Sequence, residues 1–404
     1  MSRNRDRTLA GDLLRYLVGR FLWVTATQIV NVALGWHVYE QTKSPLALGF
    51  VGLAAFTPKL VLTLAAGMVA DRGDRRLVLA ASLAINAFVA VALGVLAATA
   101  QLPVVWVYPF IVLMGISRSF TGPAAQALVP SLVPRAELSR AAGMTSTVTK
   151  VATIVGPAFG GAIYMLAPWA PFICSASFFA LAVALNLAIR TCAPVAAKPP
   201  IELSETLEGI RYVARHPVIL GAISLDLFSV LLGGVTALLP IIVSELLEAG
   251  PATLGLLRSM PSAGAMVVAL AISWKPIRRR AGKTLLAATA IFGLATIGLA
   301  FSTNVVFTSS LLWLIGASDV VSVVIRQTLV LADSPDEMRG RVAAVNMLFV
   351  GTSNELGEFE SGVTAALFGL VPAILIGGVG TVCVVLFWAM LFPELRQRDQ
   401  LVCA

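Results

Sequence analysis

The 404-residue chain is 58% hydrophobic and only 12% charged, with a formal net charge of +8 at pH 7. Soluble domains carry about 25% charged residues, so this composition, with a mean hydropathy of +0.89, excludes an ordinary soluble domain and indicates an integral membrane protein. The positive charge does not mark a nucleic-acid binder, because the basic residues fall in short segments between long apolar runs.

Twelve apolar runs, each long enough to cross a bilayer as a helix, are expected near 21–39, 46–69, 77–98, 104–126, 142–166, 171–189, 218–243, 254–274, 285–301, 305–331, 342–370 and 374–392. The fold expected is therefore all-α, with residues 1–189 and 218–404 as two six-helix bundles. The Arg-rich N-terminus leads into a full-length span without a small-residue cleavage site, so no cleavable leader is expected. Residues 190–217 read as a polar linker. Within it Leu203, Leu207, Ile210 and Val213 recur at helical spacing, which predicts an amphipathic helix on the membrane surface.

Most of the Lys and Arg residues fall at the termini and in loops on one side, which places both termini and the linker in the cytoplasm. Cys174, Cys192, Cys383 and Cys403 form no CxxC or metal-ligand spacing, and His37 and His216 are too few for a His-based metal site. No cofactor or metal is expected, and a monomer suffices.

The two halves repeat with an offset of about 200 residues, as inverted or parallel repeats do in transporters. Segment 133–140, which holds Pro134 and Arg140, matches segment 334–341, which holds Pro335 and Arg341. The basic loop 275–280 takes the place of residues 71–76, and Arg118 takes the place of Arg326.

Residues 67–76 form a short charged stretch between two apolar runs. Asp71 could meet the positive end of the next helix. Arg72, Arg75 and Arg76 could reach lipid headgroups or cap carbonyls of neighbouring helices. As a unit, Gly67, Asp71, Arg72, Arg75 and Arg76 resemble the G-x-x-x-D-R-x-x-R-R signature between spans two and three of the major facilitator superfamily. The resemblance implies a loop that latches one state of a transporter from the cytoplasmic side.

Charges inside spans are costly and mark functional candidates. Arg258 and Arg326 read as residues near span ends that snorkel. Arg118 lies deeper, as a cavity residue or a member of an ion pair, and Arg118-x-x-x-Gly122 resembles the superfamily's span-four motif, which implies a link to proton movement. Lys59, after Pro58, could favour an anionic ligand or neutralise a glutamate. Gly156 and Gly160 make a small-residue packing face, and Pro157 removes a backbone bond. With Gly161 they resemble the span-five motif of superfamily antiporters, which implies a bend that seals the cavity, while Lys150 lies about two turns away on a face it could share.

Glu355 and Glu358 share one helix face. With Glu360 they place three carboxylates in about two turns. Mutual repulsion then favours at least one holding a proton, unless basic residues pair with them. Asp226 reads as a proton site or as the partner of a cation on a facing helix. Asp319 and Arg326 lie too far apart along one helix for direct pairing.

Stretches 35–39, 122–124, 335–342 and 353–358 are similar to a bacterial subgroup of the superfamily that includes siderophore exporters and macrolide efflux proteins. That implies export of a small organic molecule across the bacterial inner membrane in exchange for protons. Proton-independent facilitation, lipid flipping and a transporter-like sensor are the alternatives. A membrane enzyme has no nucleophile–base pair to rest on. Trp23, Trp36 and Phe56 suit an amphipathic or aromatic substrate.

Overall fold

The computed structural model describes residues 2–99, 102–190, 203–335 and 337–401. Among them there is no strand. The backbone is predominantly helical, as suits a membrane chain, because helices satisfy most N–H and C=O groups away from water. Contacts divide the chain into two units, Met1–Lys43 with Ala54–Pro200 and Gly250–Ser259, and Ser44–Leu53 with Ile201–Ala249 and Met260–Ala404. This division differs from a simple cut at the linker. The first turns of α2 (Pro45–Arg72) belong to unit 2, and the first turns of α10 (Pro251–Trp274) belong to unit 1.

In unit 1, α1 (Ser2–Thr42) packs on α5 (Leu138–Tyr164) and α6 (Ala170–Leu187), while α3 (Arg75–Ala98) packs on α6 and α4 (Val104–Leu132). Small residues set the closest approaches, because without a hydrophobic driving force between helices in lipid, association depends on close packing. A Cβ on Gly156 would meet Gln28 Cβ at 2.7 Å, and one on Gly160 would meet Ile29 Cα at 2.9 Å. Gly161 packs backbone to backbone on Pro251 and Gly255. Helix α5 runs unbroken past buried Pro157.

In unit 2, α11 (Ala281–Leu299) packs on α12 (Val305–Asp333) and α14 (Leu370–Leu391). Helix α8 (Pro217–Leu232) packs on α13 (Arg339–Phe368) and α14. The seventh expected span is not one helix. After α8 the chain passes through a 3-10 turn (Val235–Leu238), the short α9 (Leu239–Ile241) and a π turn (Ile242–Leu246). The break falls at Gly233–Gly234, where Gly234 lies against the backbone carbonyl of Gly357 in α13 and leaves no room for a side chain. Glycine also lowers helix propensity there.

Helix α7 (Leu203–Arg215) realises the linker helix, although residues 191–202 and the side chains of Leu203 and Leu207 lie outside the described residues. It is held on protein as well as facing outward. Val213 is buried among Ile219, Ile223, Val330, Val342 and Val345, Glu208 pairs with Arg341 at 2.7 Å, and Ile210 stays exposed. The C-terminal α15 (Pro393–Gln397) packs on α8 and α11.

The repeat is visible in local geometry. The Glu137 N–H donates to the Pro134 carbonyl and the Met338 N–H to the Pro335 carbonyl, each at 2.9 Å, so the same proline-initiated turn joins α4 to α5 and α12 to α13. Among the described residues, ten segments are long and apolar enough to cross a membrane, the stretch Pro217–Leu246 counting as one. Helices α5 and α13 have the length but are too polar to qualify with the other ten.

Candidate functional site

The basic loop is built from the end of α2 and the start of α3. The side chains of Gly67, Asp71 and Arg72 lie outside the described residues. Arg75 Nη1 donates to the Ala127 carbonyl on α4 at 3.2 Å, and Arg76 Nη1 donates to the Ile189 carbonyl just beyond α6 at 2.6 Å. Asn186 Nδ2 returns a bond to the Arg76 carbonyl at 2.7 Å. These arginines therefore tie three helix ends of unit 1 together. The local anchor is Asp74, which sequence reasoning passed over. It caps α3, accepting from the Arg76 N–H at 2.9 Å and pairing with its guanidinium at 3.1 Å. Those bonds from Arg76 hold the Asp74 carboxyl below its usual range. The signal was present, since Asp immediately before a basic helix start is a standard N-cap pattern.

Two cavities among the described residues of unit 1 are strung along α1. One, of about 350 Å³, is lined by Trp23, Gln28, Asn31, Asn86, Arg118 and Gly122 among others. Arg118 Nη2 donates to Asn31 Oδ1 at 2.9 Å, and among the described residues Arg118 forms no ion pair. Asn86 Nδ2 donates to Ser117 Oγ at 2.8 Å, which donates to the Ser82 carbonyl at 2.6 Å, so α3 and α4 are locked by a buried polar pair. The second cavity, of about 460 Å³, is lined by Tyr16, Arg20, Gln126, Thr149 and Lys150 among others. Arg20 Nε donates to Thr149 Oγ1 at 2.8 Å, and the same guanidinium lies 5.6 Å from the Trp23 ring centre, within reach of a cation–π contact. Lys150 is exposed and lines this cavity. Lys59 is exposed on α2.

Unit 2 holds a buried charge cluster. Arg326 of α12 pairs with Asp226 of α8 at 3.1 Å and donates through Nη1 to Asn346 Oδ1 of α13 at 2.8 Å. Arg326 is 2% exposed, which corrects the reading of a snorkelling residue near a span end. The reason is its position: α12 continues to Asp333, so Arg326 lies two turns inside the helix and faces α8 and α13. Arg258 likewise turns inward, donating from Nη1 to the Asn31 carbonyl at 3.2 Å within unit 1. Beside the pair, Asp226, Ser229, Thr289, Phe292, Ser318 and Asp319 line a pocket with room for about one water. Among the described residues, buried Ser229 Oγ and Arg326 Nε have no hydrogen-bond partner.

Glu355 and Glu358 are both half-buried on α13, as is Glu360, which turns back along its own helix and accepts from Thr364 Oγ1 at 2.7 Å. Gly52, in the part of α2 that belongs to unit 2, lies against the Glu358 side chain, and a Cβ there would meet Glu358 Cβ at 3.0 Å. The residues that sequence reasoning missed are Asn31, Gln28, Arg20 and Asn346. Each is a polar side chain on an apolar helix, and pattern alone gives no partner for it.

A family model described as transmembrane secretion effector, of the major facilitator type, matches residues 14–403. The chain belongs to this family. Its relatives include a staphyloferrin A transporter of Staphylococcus aureus, 22% identical over 94% of this chain and 96% of that protein. They also include the enterobactin exporter EntS of Citrobacter koseri, 24% identical over 95% of this chain and 92% of that protein. The fold is similar to a solved bacterial homologue of the human lysosomal transporter Spinster, with a TM-score of 0.71, 16% identity and coverage of 97% and 96% of the two chains. This secretion effector is thus a multi-pass membrane transporter of small molecules and not an enzyme.

Proposed function

We propose that this secretion effector exports a siderophore-like or amphipathic drug-like molecule across a bacterial inner membrane, by alternating access and in exchange for protons. In this reading α5 and α13 complete twelve spans, both termini are cytoplasmic, and residues 1–189 and 218–404 are the two bundles with 190–217 between them. The observation that carries it is the set of polar and charged side chains kept inside the apolar bundles. Such residues are expensive in a membrane and are retained where they serve a solute or ion path. The relatives that transport staphyloferrin A and export enterobactin support the substrate class.

Asp226, Glu355 and Glu358 are the proposed proton carriers, with Arg118, Lys59 and Lys150 as cavity cations. Protonation would shift the balance between states that bind the proton differently. Residues Gly67, Asp71, Arg72, Arg75 and Arg76 form the proposed latch. Gly156, Pro157, Gly160 and Gly161 form the packed face on which α5 moves or holds.

The test is accumulation in inside-out membrane vesicles, with labelled staphyloferrin A, enterobactin and a macrolide offered in turn. Accumulation of one class above that in vesicles lacking the protein supports export. Equal levels for all three, with the protein shown to be inserted and folded, contradict the proposed substrate class.

A further inference from the structure

The cavities of unit 1 share one chemical character. Tyr16, Arg20, Trp23, Thr27 and Asn31 lie three and four residues apart, so they form one stripe on α1 that lines both spaces. Cations reach this stripe from several helices. Arg20 comes from α1 itself, Arg118 from α4 and Lys150 from α5, while Arg258 of α10 bonds the Asn31 backbone. Among the described residues, no Asp or Glu lines either cavity. The remaining polar lining is amide and hydroxyl.

The guanidinium groups are held in place and only partly engaged by protein. Arg118 uses one nitrogen on Asn31, and Asn31 is itself oriented through Gln28 Oε1, which accepts from its amide at 3.4 Å. A guanidinium carries five N–H donors in a fixed fork, so one edge of Arg118 is left to face the cavity. Arg20 is fixed by Thr149, by Tyr16 and by the Trp23 face. A cavity of this composition penalises a cation, which would meet the like charge of Arg118, Arg20 and Lys150. It rewards an anion whose oxygens accept charge-assisted hydrogen bonds.

We propose that unit 1 carries the recognition site for an anionic, oxygen-rich group, with carboxylate- or phosphate-type oxygens held by Arg118 and Arg20 and an apolar body packed on Trp23. This rests on the exporter reading and names the substrate class within it. The shared chemistry is the anionic oxygen, whether carried by a soluble compound or by a lipid headgroup.

The full-length protein is placed in nanodiscs of neutral phosphatidylcholine, and binding of two fluorescent probes is measured by anisotropy and by energy transfer from tryptophan. The probes are 1-pyreneacetate and 1-pyrenemethylammonium, which share one pyrenylmethyl body and are opposite in charge. The expected result is binding of the carboxylate about tenfold tighter than the ammonium, lost by about tenfold in Arg118→Gln and in Asn31→Asp. Asn31→Asp places a carboxylate against Arg118 while keeping the pairing, so it tests charge even if Arg118→Gln fails to fold. Equal binding of the two probes, or unchanged carboxylate binding in Asn31→Asp, overturns the proposal.

Two further arms separate the sources. Displacement of the carboxylate probe by citrate or inorganic phosphate in neutral nanodiscs identifies a soluble anion. Displacement only on replacing the lipid by phosphatidylglycerol identifies a headgroup. Displacement by neither overturns recognition of the anionic oxygen. Selective binding without any vesicle transport leaves the site standing and removes the exporter reading. Transport with no preference for anions does the reverse.

Discussion

Arg326 and Asp226 meet at 3.1 Å from facing helices of unit 2, both almost closed to solvent, with Asn346 accepting a further bond from the arginine on a third helix. A buried pair of this kind adds little net stability against a well-packed apolar pair, because both charges lose their hydration. Breaking it on one side is another matter, since the remaining charge has no compensation. Arg326→Met and Asp226→Leu are each expected to destabilise the protein by about 3–5 kcal/mol, and the double variant Asp226→Leu/Arg326→Met to recover most of that loss. Thermal unfolding of the four proteins in one detergent measures the coupling. Additive losses would mean that the two side chains do not act as a pair.

The Asp74 cap yields a prediction with a defined pH sign. Its folded carboxyl sits below the ordinary range because Arg76 donates to it. The stabilisation is therefore fully present above the unfolded carboxylate value and is lost only as pH falls through the lower folded value. Asp74→Ala should cost about 1 kcal/mol near neutral pH. The difference between wild type and variant should shrink on acidification below about pH 4. Melting curves across pH 3 to 7 check it, and a gap that widens in acid would contradict the cap.

Glycine positions separate packing from tolerance. Gly161 abuts the backbone of Pro251 and Gly255, so Gly161→Val forces α5 away from the first turns of α10. Its expected cost is about 1–3 kcal/mol, with a matching fall in folded yield. Gly143 lies in the interior of the same helix with nothing within 4 Å of its Cβ position. Gly143→Ala should stabilise by about 0.5–1 kcal/mol, because alanine restricts the unfolded chain and favours helix. Fluorescence size-exclusion profiles after heating rank the two variants.

The linker helix provides a fourth test. Glu208 pairs with Arg341 at the surface, and Val213 is buried in the unit 2 core. Exposed ion pairs contribute about 0–1 kcal/mol, whereas truncating a buried valine costs more. Glu208→Gln should leave protease resistance of residues 208–215 nearly unchanged, and Val213→Ala should raise cleavage there. The opposite order would show that charge, not burial, holds α7.

Much of this architecture was legible from patterns that depend on neighbours in sequence. The apolar runs fixed the helices, Gly156-x-x-x-Gly160 marked a packing face, and Pro134 and Pro335 marked equivalent turns. What was not legible depends on distant partners. Arg326 looked like a span-end residue because sequence gives its place along α12 but not that α8 and α13 cover it. Asn31 carries no signal of its own until Arg118 and Arg258 are brought to it. The break after Leu232 was hidden because its cause lies in part in the backbone of Gly357 more than a hundred residues away. Asp74 is the exception, a local cap overlooked in a loop dominated by arginines.

The most direct measurement of proton-coupled export uses inside-out vesicles energised to be acidic inside and loaded with a pH-sensitive dye. Siderophores and macrolides are added in turn to wild-type, Glu358→Gln and Asp226→Asn vesicles. The account predicts proton release from the lumen when one compound class is added to the wild type, and its loss in at least one of the two variants. Accumulation of the same compound with no proton movement, undiminished when the gradient is collapsed, would contradict it.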